Sequence, residues 1–258
     1  SFADREAFYG DPNFVKIPNK ILFDKKYNEE RAKLISDKAS LEVRPGQIEG
    51  FGGPVIVRKK GETDESNSKY DIGEPTIAKF NENHTRSDGL TSGDTTHLDI
   101  IDKWGNMVTA TPSGGWLQSS PMIPELGFCL SNRAQMFWLD EKSPASLSPK
   151  KRPRTTLSPS LAFKDDEPYL IFGTPGGDQQ DQWSLHFFLK HVHFNLNLQE
   201  AIDSPGFNTA HFPNSFYPRE TDLGSLFVEN RFPDRTIKQL REKGHNLFIE
   251  PEWSLGRM

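Results

Sequence analysis

Apolar and polar residues alternate at two places in the chain with the period of a β-strand. The first begins at Thr95. Residues 96–102 alternate loosely, Lys103-Trp104-Gly105-Asn106 has turn chemistry, and Met107 to Thr111 returns as a strand, so a β-hairpin is predicted. The second runs from Ser158 through Leu161 and Phe163, turns at Lys164 to Glu167, and returns through Tyr169, Leu170, Ile171 and Phe172. Its returning strand is apolar on both faces, which predicts cover on each side.

Elsewhere the spacing is helical. Residues 27–38 are rich in Glu, Lys, Arg and Ala, and Ala32, Leu34 and Ile35 form one apolar stripe, the pattern of a surface helix. Residues 182–192 place Trp183, Leu185, Phe188, Leu189 and Val192 on a buried helix that starts just after a Gly-Gly turn. Residues 198–202 predict another short helix, Phe227-Val228 a strand, and Asp234 caps a helix that passes through Ile237 and Leu240 and stops at Gly244. Residues 42–93 turn to Gly, Pro, Asn, Asp, Ser and Thr, which is loop chemistry, and residues 61–70 hold almost nothing able to form a core, so mobility is expected there. There is no internal repeat.

Composition narrows the function classes. A 34% hydrophobic share over 258 residues and a mean hydropathy of −0.66 are low for a self-sufficient globule and fit a piece that relies on a partner segment. No apolar run approaches the ~20 residues of a membrane span, so a soluble chain is expected. A net charge of −5 from interspersed charges of both signs argues against a nucleic-acid footprint. The run Lys150-Lys151-Arg152-Pro153-Arg154 reads as an ordered extended loop, either a cationic rim for an anionic substrate or a solvated segment. The single cysteine, Cys129, excludes an internal disulfide and a cysteine metal site, and its apolar neighbours suggest a buried packing thiol. Among the seven histidines only His191 and His193 are closely spaced, and they read as surface or packing residues. No metal and no organic cofactor is implied.

The candidate chemistry lies in Thr95-Thr96-His97-Leu98-Asp99, Thr111-Pro112-Ser113-Gly114-Gly115 and Thr174-Pro175-Gly176-Gly177-Asp178. A mid-chain threonine is a weak nucleophile that needs a base, and the free amine of an N-terminal threonine supplies one on the same residue. Ser113 is placed on the neighbouring strand, where its hydroxyl could orient Thr95 or cap its own turn. Gly176-Gly177 lies between an apolar strand and a helix, a place for oxyanion-binding N–H groups or simply for a turn with positive φ.

Together these segments resemble the gamma-glutamyltransferase (gamma-glutamyltranspeptidase) family of N-terminal-nucleophile hydrolases, whose members cleave themselves before such a threonine. Ala3-Asp4-Arg5 and Tyr9-Gly10-Asp11-Pro12 look like the end of the family's large subunit, and Asn197-Leu198-Gln199-Glu200-Ala201 like part of its small one. The resemblance implies an α+β fold, part of an αββα sandwich of antiparallel sheets. Residues 1–94 would be the end of the large-subunit segment with a mobile linker, and residues 95–258 the small-subunit catalytic segment.

By the same resemblance the chain cuts itself at Asp94-Thr95. Thr95 is then the nucleophile, Ser113 its support, and Gly176 and Gly177 the oxyanion pair. Thr155 and Thr156 occupy the place of a serine pair that contacts substrate, and Arg133 falls at a substrate-binding position. Read from the residues alone, Asp178 and Gln179, with Gln180 and Asp181, either cap the helix after the glycine turn or supply one or two substrate contacts. Gly115 stands where glutathione-active members carry asparagine, and Arg133 and Met136 fall where they carry the glutamine and aspartate that hold the substrate's α-amino group. The implied activity is gamma-glutamyl transfer or hydrolysis on glutathione-type substrates. A related amidohydrolase for glutaryl or dicarboxylic amides is the nearest alternative, and a non-catalytic domain retaining the fold is another.

The chain starts at Ser1 without an initiator methionine and reads as a fragment, with the missing N-terminal half of the same protein and a small-molecule amide as expected partners. A homodimer is left open. The lack of a signal or membrane segment in this piece and the single cysteine favour a cytoplasmic over a periplasmic or secreted location.

Overall fold

A computed structural model describes residues 1–59, 95–115, 121–216, 219–256 and 258. Residues 61–70 and Asp94, with the bond it shares with Thr95, lie outside the described residues.

The described helices are α1 Phe2–Phe8, α2 Asn19–Leu22, α3 Lys25–Ala32, α4 Gln180–Phe194, α5 Leu198–Asp203 and α6 Asp234–Glu242. The strands are β1 Arg58–Lys59, β2 Leu98–Ile101, β3 Met107–Ala110, β4 Met122–Ile123, β5 Phe128–Cys129, β6 Ser160–Lys164, β7 Glu167–Phe172, β8 Phe207–Asn208, β9 Glu220–Thr221, β10 Ser225–Glu229 and β11 Asn246–Glu250. They form an α+β arrangement of small sheets.

Both predicted hairpins are present. β2 pairs antiparallel with β3, Leu98 opposite Ala110 and Asp99 opposite Thr109. Its turn is tied by Asp102, whose carboxylate accepts from the backbones of Trp104 and Asn106, each at 2.9 Å. β6 and β7 pair antiparallel through Asp165 and Asp166, both at positive φ (53° and 64°), the backbone that a two-residue turn needs to match strand twist. The two hairpins lie against each other.

Not every sheet is antiparallel. β10 runs parallel to β11 and antiparallel to β8, and β1 runs parallel to β9. Between β10 and β11 the chain crosses over through α6, and such a crossover brings the next strand back in the same direction. The sequence pattern of β10 carries no mark of its partner's direction.

α4 is wedged between β7 and β8. Phe172 of β7 stacks on Phe188 (5.5 Å between ring centroids) and tilts against Phe187 (5.6 Å), while His186 stacks on Phe207 at 4.0 Å. Trp183 donates through Nε1 to Asn208 Oδ1 at 3.3 Å. The buried stripe is Gln180, Trp183, Ser184 and Phe187, so the expected Leu185 is instead exposed. Apolar residues ring this helix, and contact with Asn208 and Phe172 selects which of its stripes faces inward. A second apolar cluster joins Ala7, Phe8 and Leu22 with Tyr9, Ile17, Tyr27, Ile48, Phe51 and Val55.

Four further expectations change. α3 begins at Lys25, because Asp24 caps the Lys26 and Tyr27 amides, and it ends at Ala32. Leu34 and Ile35 lie beyond it with Ile35 81% exposed, since no packing partner extends so short a helix. Pro233 takes the cap position of α6, and Asp234 sits in its first turn, where a negative charge faces the helix N-terminus. Cys129 is only partly buried, between exposed Phe128 and Leu130 on the two-stranded β4–β5 ribbon. β7 is not covered on both faces: Tyr169 is exposed, and so are Leu161 and Phe163 on its partner.

Candidate active site

The β2–β3 register, carried outward, sets His97 opposite Thr111 and Thr95 opposite Ser113. Side chains two apart on a strand share a face, so these pairs form one polar row. Thr95 Oγ1 lies 2.7 Å from Ser113 Oγ, and His97 Nδ1 lies 2.8 Å from Thr111 Oγ1. On its other side His97 Nε2 is 3.0 Å from Asp99 Oδ2. The pairing requires Thr96 N to donate to Pro112 O at 3.2 Å, which extends the ladder past the last regular strand residue. Thr111 is buried, and the His97 ring packs against Gly173, where the second hairpin ends.

Gly173 leads directly into the glycine turn. Gly176 has φ 136°, and a Cβ there would fall 2.4 Å from the Trp183 ring, so both backbone and packing demand glycine. Gly177 has φ 55° and opens a short 3-10 turn, Gly177–Gln179, that runs into α4. The Gly176 carbonyl accepts from Gln179 N at 3.0 Å, so the carbonyl is turned toward the helix.

The substrate-contacting candidates fall into different surroundings. Thr156 is buried and its hydroxyl makes no hydrogen bond among the described residues, whereas Thr155 is exposed and accepts from Leu157 N at 3.1 Å. Arg133 is buried in a 3-10 turn, Arg133–Met136, with its guanidinium packed against Gly114 and over the Phe216 ring at 5.5 Å. Asn132 N donates to the Gly114 carbonyl at 2.8 Å and so locks this turn to the residue after Ser113. Met136 is fully buried.

Asp178 and Gln179 are also buried, and both are bonded inside the protein. Asp178 accepts from Arg5 Nη1 (2.7 Å), Ser215 N (2.7 Å) and Ser215 Oγ (2.6 Å). Burial alone would raise its pKa, but Arg5 and Arg154 outweigh burial and hold the carboxyl below the usual range. Gln179 accepts from Gln182 Nε2 at 2.5 Å and donates to Thr209 O at 3.4 Å.

The basic run is an extended loop, as expected; Lys151 and Arg154 turn inward, whereas Lys150 and Arg152 stay exposed. Lys151 donates to Ser146 Oγ at 3.2 Å, Arg152 to Asp11 Oδ1 at 2.9 Å, and Arg154 to Glu6 and, at 2.7 Å, to Ser215 Oγ. Those bonds from Arg152 hold the Asp11 carboxyl well below its usual range. Arg152 and Arg154 thereby form ion pairs between this loop and α1 with the segment after it.

Sequence reasoning missed His97 and Arg5. His97 had a usable signal, since it alternates with Thr95 and so shares its face. Arg5 had none, being 173 residues from the aspartate it pairs with. Among the described residues no cluster of His, Cys, Asp and Glu could hold a metal, and no helix is long and apolar enough to cross a membrane.

The family model for gamma-glutamyltranspeptidase matches residues 1–258. The glutathione hydrolase proenzyme of Bacillus subtilis subsp. natto is 28% identical over 257 residues, a match that covers 97% of this chain and 37% of that protein. The acylase ACY 1 proenzyme of Pseudomonas sp. (strain SE83) is 26% identical over 252 residues, covering 97% and 36% respectively. Among solved structures, LmbA2991HD superposes with a TM-score of 0.76 at 47% identity, over 99% of this chain and 41% of that one. The chain thus spans little more than a third of the length of these curated relatives, 37% and 36%. A family match over residues 1–258 shows that the chain belongs to the gamma-glutamyltranspeptidase family of N-terminal-nucleophile hydrolases.

Proposed function

We propose that this chain is the catalytic part of a self-cleaving N-terminal-threonine amidase or acyltransferase, with residues 1–94 and 95–258 as its two segments within an αββα sandwich. The observation that carries the reading is the 2.7 Å contact between Thr95 Oγ1 and Ser113 Oγ. The Thr95 hydroxyl attacks the Asp94 carbonyl, the acyl group shifts from nitrogen to oxygen, and water hydrolyses the ester. The α-amine so released removes the proton from the same hydroxyl when it attacks a substrate amide. Ser113 orients the hydroxyl, and the Gly176 and Gly177 amides stabilise the developing oxyanion. The proenzyme names of the relatives support a cleavage step.

Mass analysis of full-length protein tests this. Wild type is expected to yield a fragment beginning at Thr95, Thr95→Ser to cut more slowly, and Thr95→Ala to remain whole and inactive. Efficient cutting of the alanine variant would assign the break to an external protease. An uncut wild type without amidase activity would favour a non-catalytic domain.

A second reading concerns the acyl group. Gamma-glutamyl substrates carry an ammonium group, and by the sequence resemblance Arg133 and Met136, both buried here, fall where glutathione-active members carry the residues that hold it. Acyl groups lacking the α-amine, such as glutaryl or other dicarboxylic acyl groups, are therefore expected to turn over at least as well. Glutaryl and gamma-glutamyl anilides assayed side by side decide it. A gamma-glutamyl preference of about tenfold, worth roughly 1.4 kcal/mol, would refute this reading.

A further inference from the structure

Five side chains from four separate segments close a buried ring beside the glycine turn. Arg5 bonds Asp178 at 2.7 Å, Asp178 accepts from Ser215 Oγ at 2.6 Å, and Ser215 Oγ accepts from Arg154 at 2.7 Å. Arg154 pairs with Glu6, and Glu6 returns to Arg5 at 3.0 Å. Two cations balance two carboxylates, and side-chain exposure is 0% at Asp178, 3% at Glu6, 9% at Arg154 and 16% at Arg5. The Arg5 guanidinium also lies over the stacked rings of Phe2 and Phe212, 4.7 and 5.3 Å from their centroids.

Asp178 follows Gly177 directly, so its clamped carboxylate fixes the Gly177–Asp178 peptide from one side while Trp183 abuts Gly176 from the other. α1 lies upstream of the Asp94–Thr95 bond, whereas Arg154, Asp178 and Ser215 lie downstream of it. We propose that Arg5 and Asp178 are positioning residues for the oxyanion donors, so that an arginine on the upstream side of the scissile bond sets the geometry of the turn on the downstream side. This rests on the amidase reading above.

After cleavage the Arg5–Asp178 contact becomes a contact between two chains, and turnover then depends on the upstream chain staying in place. Removing a partner from a buried pair leaves a charge without compensation, so Arg5→Lys, which keeps the charge, is the mild variant, and Asp178→Asn, which keeps the shape but removes a carboxylate, is the severe one. Ser215→Ala withdraws one of the bonds to Asp178 and leaves every charge paired. The charged groups around the Asp178 carboxylate are Arg5 and Glu6 from α1, Arg154 from the loop and Asp181 from α4. With Arg5 replaced by lysine, the Asp178 carboxyl keeps a cation nearby but loses the guanidinium hydrogen bond that favours its charged form. Its protonation should then move to higher pH.

Full-length variants should be checked for cleavage by mass and for folding by Tm, then assayed for kcat, KM and the pH dependence of kcat. Expected are normal cleavage, kcat lowered about tenfold or more in Arg5→Lys and Asp178→Asn, and KM within about threefold of wild type. Ser215→Ala should show a smaller loss in the same direction. The acid limb of kcat in Arg5→Lys, measured only at pH values where thermal melts show the variant folded, should lie at higher pH than in wild type, a shift that loss of stability does not then produce.

Folded, cleaved variants with kcat within about twofold of wild type would overturn the positioning role. So would losses that follow the folded fraction alone. Thr95→Ala separates the two ideas: wild-type turnover that survives in it overturns the amidase reading and this inference together, whereas Thr95-dependent turnover retained in the Arg5 and Asp178 variants overturns only the inference.

Discussion

At the scale of single residues the site is a contact between two hydroxyls, and only one of them has to be reactive. Ser113 is expected to act through orientation: Ser113→Ala should lower kcat by about ten- to a hundredfold, and Ser113→Thr should retain most of it, because the hydroxyl is kept. The two glycines of the turn should behave differently. Gly176→Ala drives a Cβ to 2.4 Å from the buried Trp183 ring at φ 136°, so loss of the folded protein is expected, read as a fall in Tm or in soluble yield. Gly177 sits at φ 55°, which alanine adopts at roughly 1–2 kcal/mol. Gly177→Ala should therefore fold, and its turnover, expected to drop about tenfold to a thousandfold, is the cleaner probe of the proposed oxyanion donors. A Gly177→Ala protein with normal kcat would remove that amide from the mechanism.

At the scale of elements, α5 and α4 owe their positions to different physics. α5 carries a complete capping box: Asn197 Oδ1 accepts from Glu200 N, and Glu200 Oε2 accepts from Asn197 N, both at 2.9 Å. Asn197→Ala is expected to cost about 1 kcal/mol and to lower Tm by about 2–4 °C. α4 is held by packing, and His186 sits in that packing against Phe207. Burial, aided by nearby Lys190, depresses its pKa from 6.5 to about 4. Because the unfolded chain binds a proton in that window and the folded one does not, the stability contributed here is complete above pH 6.5 and is lost as pH falls toward 4. Thermal melts across that range should show His186→Phe with a shallower acid decline than wild type, and parallel slopes would reject the assignment.

On the scale of the whole molecule, the outstanding feature is uncovered apolar surface on the two hairpins. Ile100, Val108, Leu161 and Phe163 are 59%, 55%, 50% and 61% exposed. Patches of this kind mark surfaces that other protein covers, in keeping with a chain that spans 37% of a curated relative. Replacing Leu161 and Phe163 together by serine is expected to reduce hydrophobic-dye binding by the 258-residue chain and to leave its Tm nearly unchanged. A large loss of Tm would show that these side chains already support the fold.

The amino-acid sequence by itself determined the two hairpins and the register of Thr95 against Ser113. Alternation from Thr96, the Trp104-Gly105-Asn106 turn and the return through Met107 are nearest-neighbour signals, and once they set the hairpin, Thr95 has to face Ser113. The glycine turn was legible for the same reason, since a strand, two adjacent glycines and a helix admit few backbone paths. Tertiary structure alone decided which stripe of α4 is buried, that β10 and β11 run parallel, and that Arg152 and Arg154 of the basic run pair with Asp11 and Glu6. It also decided that Asp178 answers to Arg5. Each of these joins side chains far apart in the chain, and the spacing of residues along a sequence shows which face a side chain occupies but not what that face will meet.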